Sequence, residues 1–227
     1  MKRSFKLGAM AVACAAGVMV SAGAANFTSS ADRLHEVGLF QGTGMTASGA
    51  PQYDLDRAPT RAEAAVMLVR LLGKEADAKA LTYTAPFTDL EGWEAPYVQY
   101  LYDNKLTTGA TATTFEPKAK CSAQMYTTFL LRSLGYSDAQ NGDFTYTGAL
   151  DFAADNVGLI DESFCDTNNF LRDNVAAMSL EALATPVKAT DITLLDKLIA
   201  DGAIDQSKAA PLSQFIDLAE SYNKAVS

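Results

Sequence analysis

The chain has few of the residues from which most active sites are built. Its 227 residues include one histidine, one tryptophan and three cysteines. Catalytic triads and zinc sites normally need more histidine or cysteine than this, and the sequence has no phosphate loop, dinucleotide fingerprint or nucleophile elbow. The single histidine, His35, is expected to be an ordinary surface or packing residue of a short helix. We therefore expect no catalytic residue, no metal site and no cofactor.

Basic residues are also scarce. The chain has 18 lysines and arginines against 27 aspartates and glutamates, which gives a formal net charge of −9. Nucleic-acid-binding proteins normally show a basic face and a high isoelectric point, so we exclude nucleic acid as a partner. Any other anionic partner is repelled at long range by this charge, and its binding must then depend on individual arginines.

The first 25 residues have the three parts of a secretory signal peptide. Residues 1–6 are basic, residues 7–20 are apolar, and residues 21–25 are small. The apolar stretch is shorter than the roughly 20 residues that a bilayer-spanning helix needs. The pattern therefore predicts cleavage after Ala24 or Ala25 and a secreted protein.

The three cysteines are not spaced like metal ligands. Cys14 lies within the predicted signal peptide, which leaves Cys121 and Cys165 in the exported chain. An oxidising compartment allows these two to form a single disulfide, but sequence alone does not establish pairing. We favour two unpaired, partly buried thiols.

Three segments share one pattern, a long helix that follows an irregular loop. The helices begin near residues 60, 122 and 171. Each carries a stripe at positions i, i+3, i+4 and i+7, which lie on one helical face. The stripes consist of Ala65, Leu68, Val69 and Leu72; of Thr127, Leu130, Leu131 and Leu134; and of Ala176, Ser179, Leu180 and Leu183. Because one such helix cannot bury its apolar face alone, we expect the three units to associate.

The loops and helix ends extend the pattern. A large ring precedes each long helix, at Tyr53, Phe115 and Phe164, and a shorter helix precedes each loop. Gly73 and Gly135 lie where the first two long helices stop, at positions that favour a left-handed backbone. The repeated unit is therefore a short helix, a loop and a long helix.

These segments resemble the S-layer homology family. The second unit opens with Phe-x-Asp at residues 87–89, followed by Trp93, and passes through Phe-Glu-Pro at residues 115–117. The first unit carries Thr-Arg-Ala-Glu at residues 60–63. The resemblance covers about residues 30–188. It divides the chain into repeats at 26–76, 84–138 and 142–188, and leaves a C-terminal helical segment at 189–227.

The resemblance implies an all-α fold, with three helix-loop-helix repeats in a pseudo-threefold arrangement around a central three-helix bundle, plus C-terminal helices. It also implies that grooves between repeats bind secondary cell-wall polysaccharide, often pyruvylated, on a protein secreted to the bacterial cell wall or S-layer. The alternative is a structural or protein-interaction module of the envelope on the same scaffold, without glycan binding. Its partner is then another envelope protein or a second copy of the chain.

Three residues of the helix-start motif are expected to stabilise the helices. Thr60 and Glu63 have the spacing of a capping box, in which each side chain bonds the backbone amide of the other. Ser122 is the equivalent cap in the second repeat. Capping therefore accounts for these residues without any ligand.

Four residues are the candidates for glycan binding. Arg61 is not needed for capping and opposes the helix dipole, so we expect a carboxylate partner, either a pyruvyl or uronic acid group or a structural aspartate. Arg172 is its counterpart in the third repeat, whereas Ala123 removes it from the second. Trp93 is either a core anchor or a stacking platform for sugar, and Asp89 is either an N-cap or a sugar contact.

Overall fold

The computed structural model describes residues 27–226 and is mostly helical, as the sequence predicts. The predicted signal peptide and Cys14 lie outside the described residues. No helix between residues 27 and 226 is both long and apolar enough to cross a membrane. The elements in chain order are α1 Thr28–Glu36, β1 Gly44–Met45, β2 Pro51–Gln52, α2 Arg61–Leu71, α3 Glu75–Lys79, α4 Ala95–Asp103, α5 Ala123–Ser133, a 3-10 turn Tyr146–Gly148, α6 Ala149–Phe152, a π-helix Ala153–Val157, α7 Arg172–Ala184, α8 Leu194–Ala200 and α9 Gln206–Val226.

The three long helices α2, α5 and α7 contact one another in pairs and thus form a three-helix bundle. Helix α7 is buried on all sides, and its buried residues include Ser179 and Glu181. The predicted one-sided stripe on this helix is therefore too narrow, because the other two long helices and α1 surround it. The pseudo-threefold arrangement itself stays a prediction.

The C-terminal segment closes one end of this bundle. Gly73 ends α2 with φ of +66° and faces the backbone of Ala203, where an added Cβ would lie 2.3 Å from the carbonyl oxygen. Helix α9 packs with Leu212 and Ile216 buried, and the guanidinium of Arg33 lies 3.7 Å from the centre of the Phe215 ring. These contacts join the segment to the first repeat.

The thiols of Cys121 and Cys165 are buried and unpaired, with exposures of 3% and 6%. Burial raises the pKa of the Cys121 thiol to about 12 and that of Cys165 to about 11. Since the thiolate is the reactive form, we expect both cysteines to resist Ellman's reagent in the native protein and to react once urea unfolds it. Rapid stoichiometric labelling of the native protein would contradict this burial.

Candidate functional site

Helix α2 begins against the loop of the second repeat, a contact that we call the α2 junction. The backbone amide of Arg61 donates to the carbonyl of Ala119 at 2.8 Å, and that of Ala62 donates to Pro117 at 3.1 Å. The first amides of a helix have no partner within the helix, so these bonds satisfy two of them. The junction therefore fixes the start of α2 on residues 106–122.

Helix α7 begins in the same way against the loop of the first repeat, the α7 junction. The amide of Arg172 donates to Arg57 at 2.9 Å, and that of Asp173 donates to Leu55 at 3.1 Å. In the alignment of the first two repeats, Arg57 and Leu55 correspond to Ala119 and Pro117. The two junctions thus share their backbone geometry.

Side chains complete the caps of the long helices. The hydroxyl of Thr60 accepts from the amide of Glu63 at 3.2 Å, and the carboxylate of Glu63 accepts from the amide of Thr60 at 2.7 Å. Ser122 accepts from the amide of Met125 at 3.2 Å. At α7 only half of the box remains, because Leu171 has no hydroxyl. There the side-chain oxygen of Asn174 accepts from the amide of Leu171 at 2.8 Å.

The side chain of Arg61 is half-buried at the α2 junction and takes no part in the helix cap. Its Nε donates to the carbonyl of Phe115 at 2.7 Å, and one Nη lies 3.0 Å from Sδ of Met125. An arginine has five N–H donors, so these contacts leave three uncommitted. Among the residues that the structure describes, no carboxylate oxygen lies within 4.0 Å of this guanidinium. The structural-aspartate alternative therefore does not take the form of a direct ion pair.

The carboxylate of Asp89 lies close enough to Arg61 for an electrostatic interaction with its guanidinium. Its two carboxylate oxygens accept from the amides of Phe115 at 2.9 Å and Glu116 at 2.8 Å. Burial opposes ionisation, but these two donors and the nearby Arg61 lower the pKa of Asp89 below its ordinary value. Asp89 thus holds the loop on which Arg61 rests, and it does not cap a helix.

Trp93 lies in the turn before α4 and is 55% exposed, so it does not anchor the core. Glu94 fixes this turn by accepting from the amide of Glu91 at 2.8 Å. Glu91 in turn forms an ion pair with Lys118 at 2.5 Å, which connects the turn to the loop of the α2 junction. The indole is therefore available at the surface beside that loop.

An open cleft of about 420 Å³, which we call the Arg61 cleft, lies beside this guanidinium. Its walls come from the loop after α4, from one face of α5, and from residues 138 and 146 beyond that helix. They include Thr107, Thr108, Gly109, Ala110, Glu116, Met125, Thr128, Phe129, Arg132, Asp138 and Tyr146. Gly109 is required here, since φ is +82° and a Cβ would lie 2.3 Å from the ring of Phe87.

The second arginine of this cleft is neutralised. Arg132 donates two hydrogen bonds to the carboxylate of Asp138, at 2.9 and 2.7 Å, and a third to the carbonyl of Leu106 at 2.8 Å. The positive charge and the hydrogen-bond donors that remain free for a ligand are therefore those of Arg61 and not those of Arg132. Arg132, Asp138 and the threonines that line the cleft were not predicted from the sequence. Gly109, which follows Leu106, marks the loop that carries Thr107 and Thr108 and could have pointed to these two.

Tyr146 contributes an aromatic ring to the cleft from the third repeat. Its side chain is 47% exposed, and its carbonyl accepts a hydrogen bond from the side-chain amide of Gln124. The hydroxyl of Thr145 caps the short turn that follows, by accepting from the amide of Gly148 at 3.2 Å. An exposed ring thus faces the same space as the Arg61 guanidinium.

Arg172 lies apart from this cleft, at the α7 junction, and is only 4% exposed. Its Nε donates to the carbonyl of Tyr53 at 2.8 Å, and one Nη lies 3.6 Å from Sδ of Met67. Burial lowers the pKa of this guanidinium. The structure thus brings Arg61 and Asp89 together, with Trp93 on the adjoining turn, but not Arg172. A glycan contact by Arg172 stays a prediction.

Asp173 follows Arg172, faces a polar cavity of about 500 Å³ and is 8% exposed. Its Oδ1 accepts from the amide of Phe27 at 2.8 Å. Burial raises the pKa of this carboxyl from 3.8 to about 6, although the bond from Phe27 lowers it.

Replacing Asp173 with asparagine is therefore expected to stabilise the protein at pH 8. A raised pKa means that ionisation above pH 6 destabilises the fold, and that protonation between about pH 6 and pH 4 removes this cost. The full shift corresponds to about 3 kcal/mol, but screening from the cavity reduces our expectation to about 1–2 kcal/mol. Urea unfolding of D173N and wild type should show this gain at pH 8 and little difference at pH 4. A less stable D173N at pH 8 would mean that the carboxylate stabilises the fold.

Comparison with known proteins places the family signature at the α2 junction. The model of the S-layer homology domain matches residues 86–122, the segment that contains Asp89, Trp93, Phe115 and the loop that receives α2. Among curated proteins, the chain is 28% identical over 109 residues to an endoglucanase of Bacillus sp. (strain KSM-635), a match that covers 43% of the chain and 12% of the enzyme.

A cell wall protein and a surface layer protein match over a similar length. The chain is 30% identical over 112 residues to the middle cell wall protein of Brevibacillus brevis (strain 47 / JCM 6285 / NBRC 100599) and to the surface layer protein of Brevibacillus choshinensis. Each match covers 48% of the chain and 10% of the relative. The chain thus spans about a tenth of the length of these relatives. The similarity to the S-layer homology family is shown for residues 86–122, which match the family model.

Proposed function

We propose that the chain is a non-catalytic module of the cell surface that binds cell-wall polysaccharide through the Arg61 cleft. The observation that carries the proposal is the guanidinium of Arg61, which is half-buried and has three uncommitted N–H donors beside an open cleft. A partly desolvated arginine forms strong paired hydrogen bonds to a carboxylate. A wall sugar that carries a pyruvyl or uronic acid group supplies such a carboxylate.

The rest of the cleft suits a carbohydrate. Thr108 offers an exposed hydroxyl for hydrogen bonding, and Tyr146 offers an exposed ring. Sugars present apolar C–H faces that pack on aromatic rings, and the exposed Trp93 offers a second such ring on the adjoining turn. The net charge of −9 opposes an anionic polymer at long range, so contacts within the cleft must provide the affinity.

The chain's relatives support the cell-surface part of this proposal, since they include a surface layer protein and a middle cell wall protein. We retain the predicted signal peptide at residues 1–25, and with it secretion to the wall, as part of the proposal. The predicted repeat boundaries at 26–76, 84–138 and 142–188 belong to it as well. From the family resemblance we further expect that the bound polysaccharide is pyruvylated.

Sedimentation with sacculi of the encoding organism tests the proposal. We expect the purified protein to pellet with intact sacculi and to stay in the supernatant when hydrofluoric acid has removed the secondary polymer. Equal pelleting with stripped sacculi would contradict polysaccharide binding and would favour the protein-interaction module. No pelleting with intact sacculi would contradict the proposal outright.

A further inference from the structure

The α7 junction repeats the α2 junction but encloses its arginine. The Nε of Arg172 donates to Tyr53 as the Nε of Arg61 donates to Phe115, at 2.8 and 2.7 Å. Each guanidinium also lies against a methionine sulfur. Even so, Arg172 is 4% exposed, whereas Arg61 is half-buried and lines an open cleft. The difference therefore arises from what covers each arginine.

The cover at the α7 junction is a longer loop. Eleven positions separate Gly42 from Tyr53 in the first repeat, whereas six separate Gly109 from Phe115 in the second. The five extra residues fall within the antiparallel hairpin of β1 and β2, in which Gly44 pairs with Gln52. The second repeat has no such hairpin, and the Arg61 cleft is open at the corresponding place.

Hydrogen bonds hold the base of this hairpin closed. The amide of Thr43 donates to the carbonyl of Gln52 at 2.7 Å, and its hydroxyl donates to the carboxylate of Asp54 at 2.8 Å. The side-chain amide of Gln52 donates to the other oxygen of Asp54 at 3.0 Å. At Gly42 an added Cβ would lie 2.4 Å from the carbonyl oxygen of Gln52, so the two sides approach closely.

The closed loop supplies the remaining contacts of Arg172 from the chain itself. The carbonyl of Gln41 lies 3.5 Å from one Nη, and the ring centre of Phe40 lies 5.6 Å from the guanidinium carbon. The residue that corresponds to Gln41 in the second repeat is Thr108, which lines the open cleft beside Arg61. Phe40 and Gln41, which lead into the hairpin, thus occupy the position that a ligand would need.

We propose that each molecule binds one ligand carboxylate, at Arg61, because Phe40 and Gln41, held by the base of the hairpin, plug the equivalent position at Arg172. The start of α5 offers no third position, since Ala123 has no guanidinium. This inference rests on the proposed function and adds its stoichiometry. A module with one site gains no avidity from its own repeats, so its affinity is that of a single carboxylate-bearing unit.

Calorimetric titration with short polysaccharide fragments, released from sacculi with hydrofluoric acid, tests the stoichiometry. We expect one site on the wild-type protein, and in R61A the same single site weakened by roughly 10- to 100-fold. Two sites on the wild type would overturn the plug and leave the proposed function standing. Absence of binding by the wild-type protein would instead overturn the proposed function, and the plug with it.

A shortened hairpin provides the positive test. Deleting residues 45–49 gives the first-repeat loop the length of the second-repeat loop. In the R61A background, we expect this deletion to create one new site, because it releases Phe40 and Gln41 from their position over Arg172. A folded deletion variant without a new site would overturn the plug. If the deletion prevents folding, the stoichiometry of the wild type still decides the question.

Discussion

Replacing Arg172 with alanine is expected to lower the free energy of unfolding by about 3 kcal/mol. The change removes the donor to the carbonyl of Tyr53 and the contacts with Phe40 and Met67. It leaves a buried carbonyl unpaired and a cavity at the α7 junction, and both defects destabilise a fold. Urea unfolding followed by circular dichroism measures the effect.

Arg61 provides the matched control for this prediction, because its Nε makes the same bond at the α2 junction. R61A is expected to cost only about 1 kcal/mol, since the site is half-exposed and water replaces the lost donor. R172K should fall between R172A and the wild type, because lysine keeps the charge but lacks the planar fork. Equal stability of R172A and R61A would contradict the structural role that we assign to Arg172.

R61A is expected to weaken binding to intact sacculi by roughly 10- to 100-fold, while the protein remains folded. Hydrogen bonds to a charged group contribute about 1.5–3 kcal/mol, which corresponds to this range. R61K should recover part of the affinity, since a lysine supplies the charge without the paired donors. The bound fraction over a series of sacculus concentrations measures the change.

Lys120 supplies the control for charge alone. It is exposed on the loop of the α2 junction, close along the chain to the groups that receive Arg61. K120A removes the same unit of positive charge without touching the cleft, so we expect its affinity to change less than threefold, as is typical of exposed charges. An equal loss in K120A and R61A would mean that net charge, rather than the Arg61 cleft, determines binding.

The sequence predicts the parts of the site that local chemistry determines. Thr60, Glu63 and Ser122 are recognisable because capping depends on residues three positions apart. The same spacing identifies Arg61 as a residue without a role in the cap. Its need for a partner could therefore be inferred, and the structure places its free donors beside a cleft.

The rest of the site depends on contacts between distant segments, which no local pattern reveals. Arg61 and Arg172 occupy the same motif position, but Phe40 and Gln41 of the longer first-repeat loop cover Arg172, whereas Arg61 lines an open cleft. Tyr146 belongs to the third repeat but faces a cleft of the second. The burial of α7 on every side likewise follows from how the three repeats assemble, not from its own periodicity.

The most direct test of the account compares the affinity of the wild-type protein for native wall polysaccharide with its affinity for polysaccharide whose carboxylates have been reduced to alcohols. If Arg61 binds a ligand carboxylate, reduction should weaken binding by about tenfold or more, and the affinity of R61A should not change on reduction. Equal affinity of the wild type for the native and reduced polymers would contradict the central claim that the Arg61 cleft recognises an acidic wall sugar.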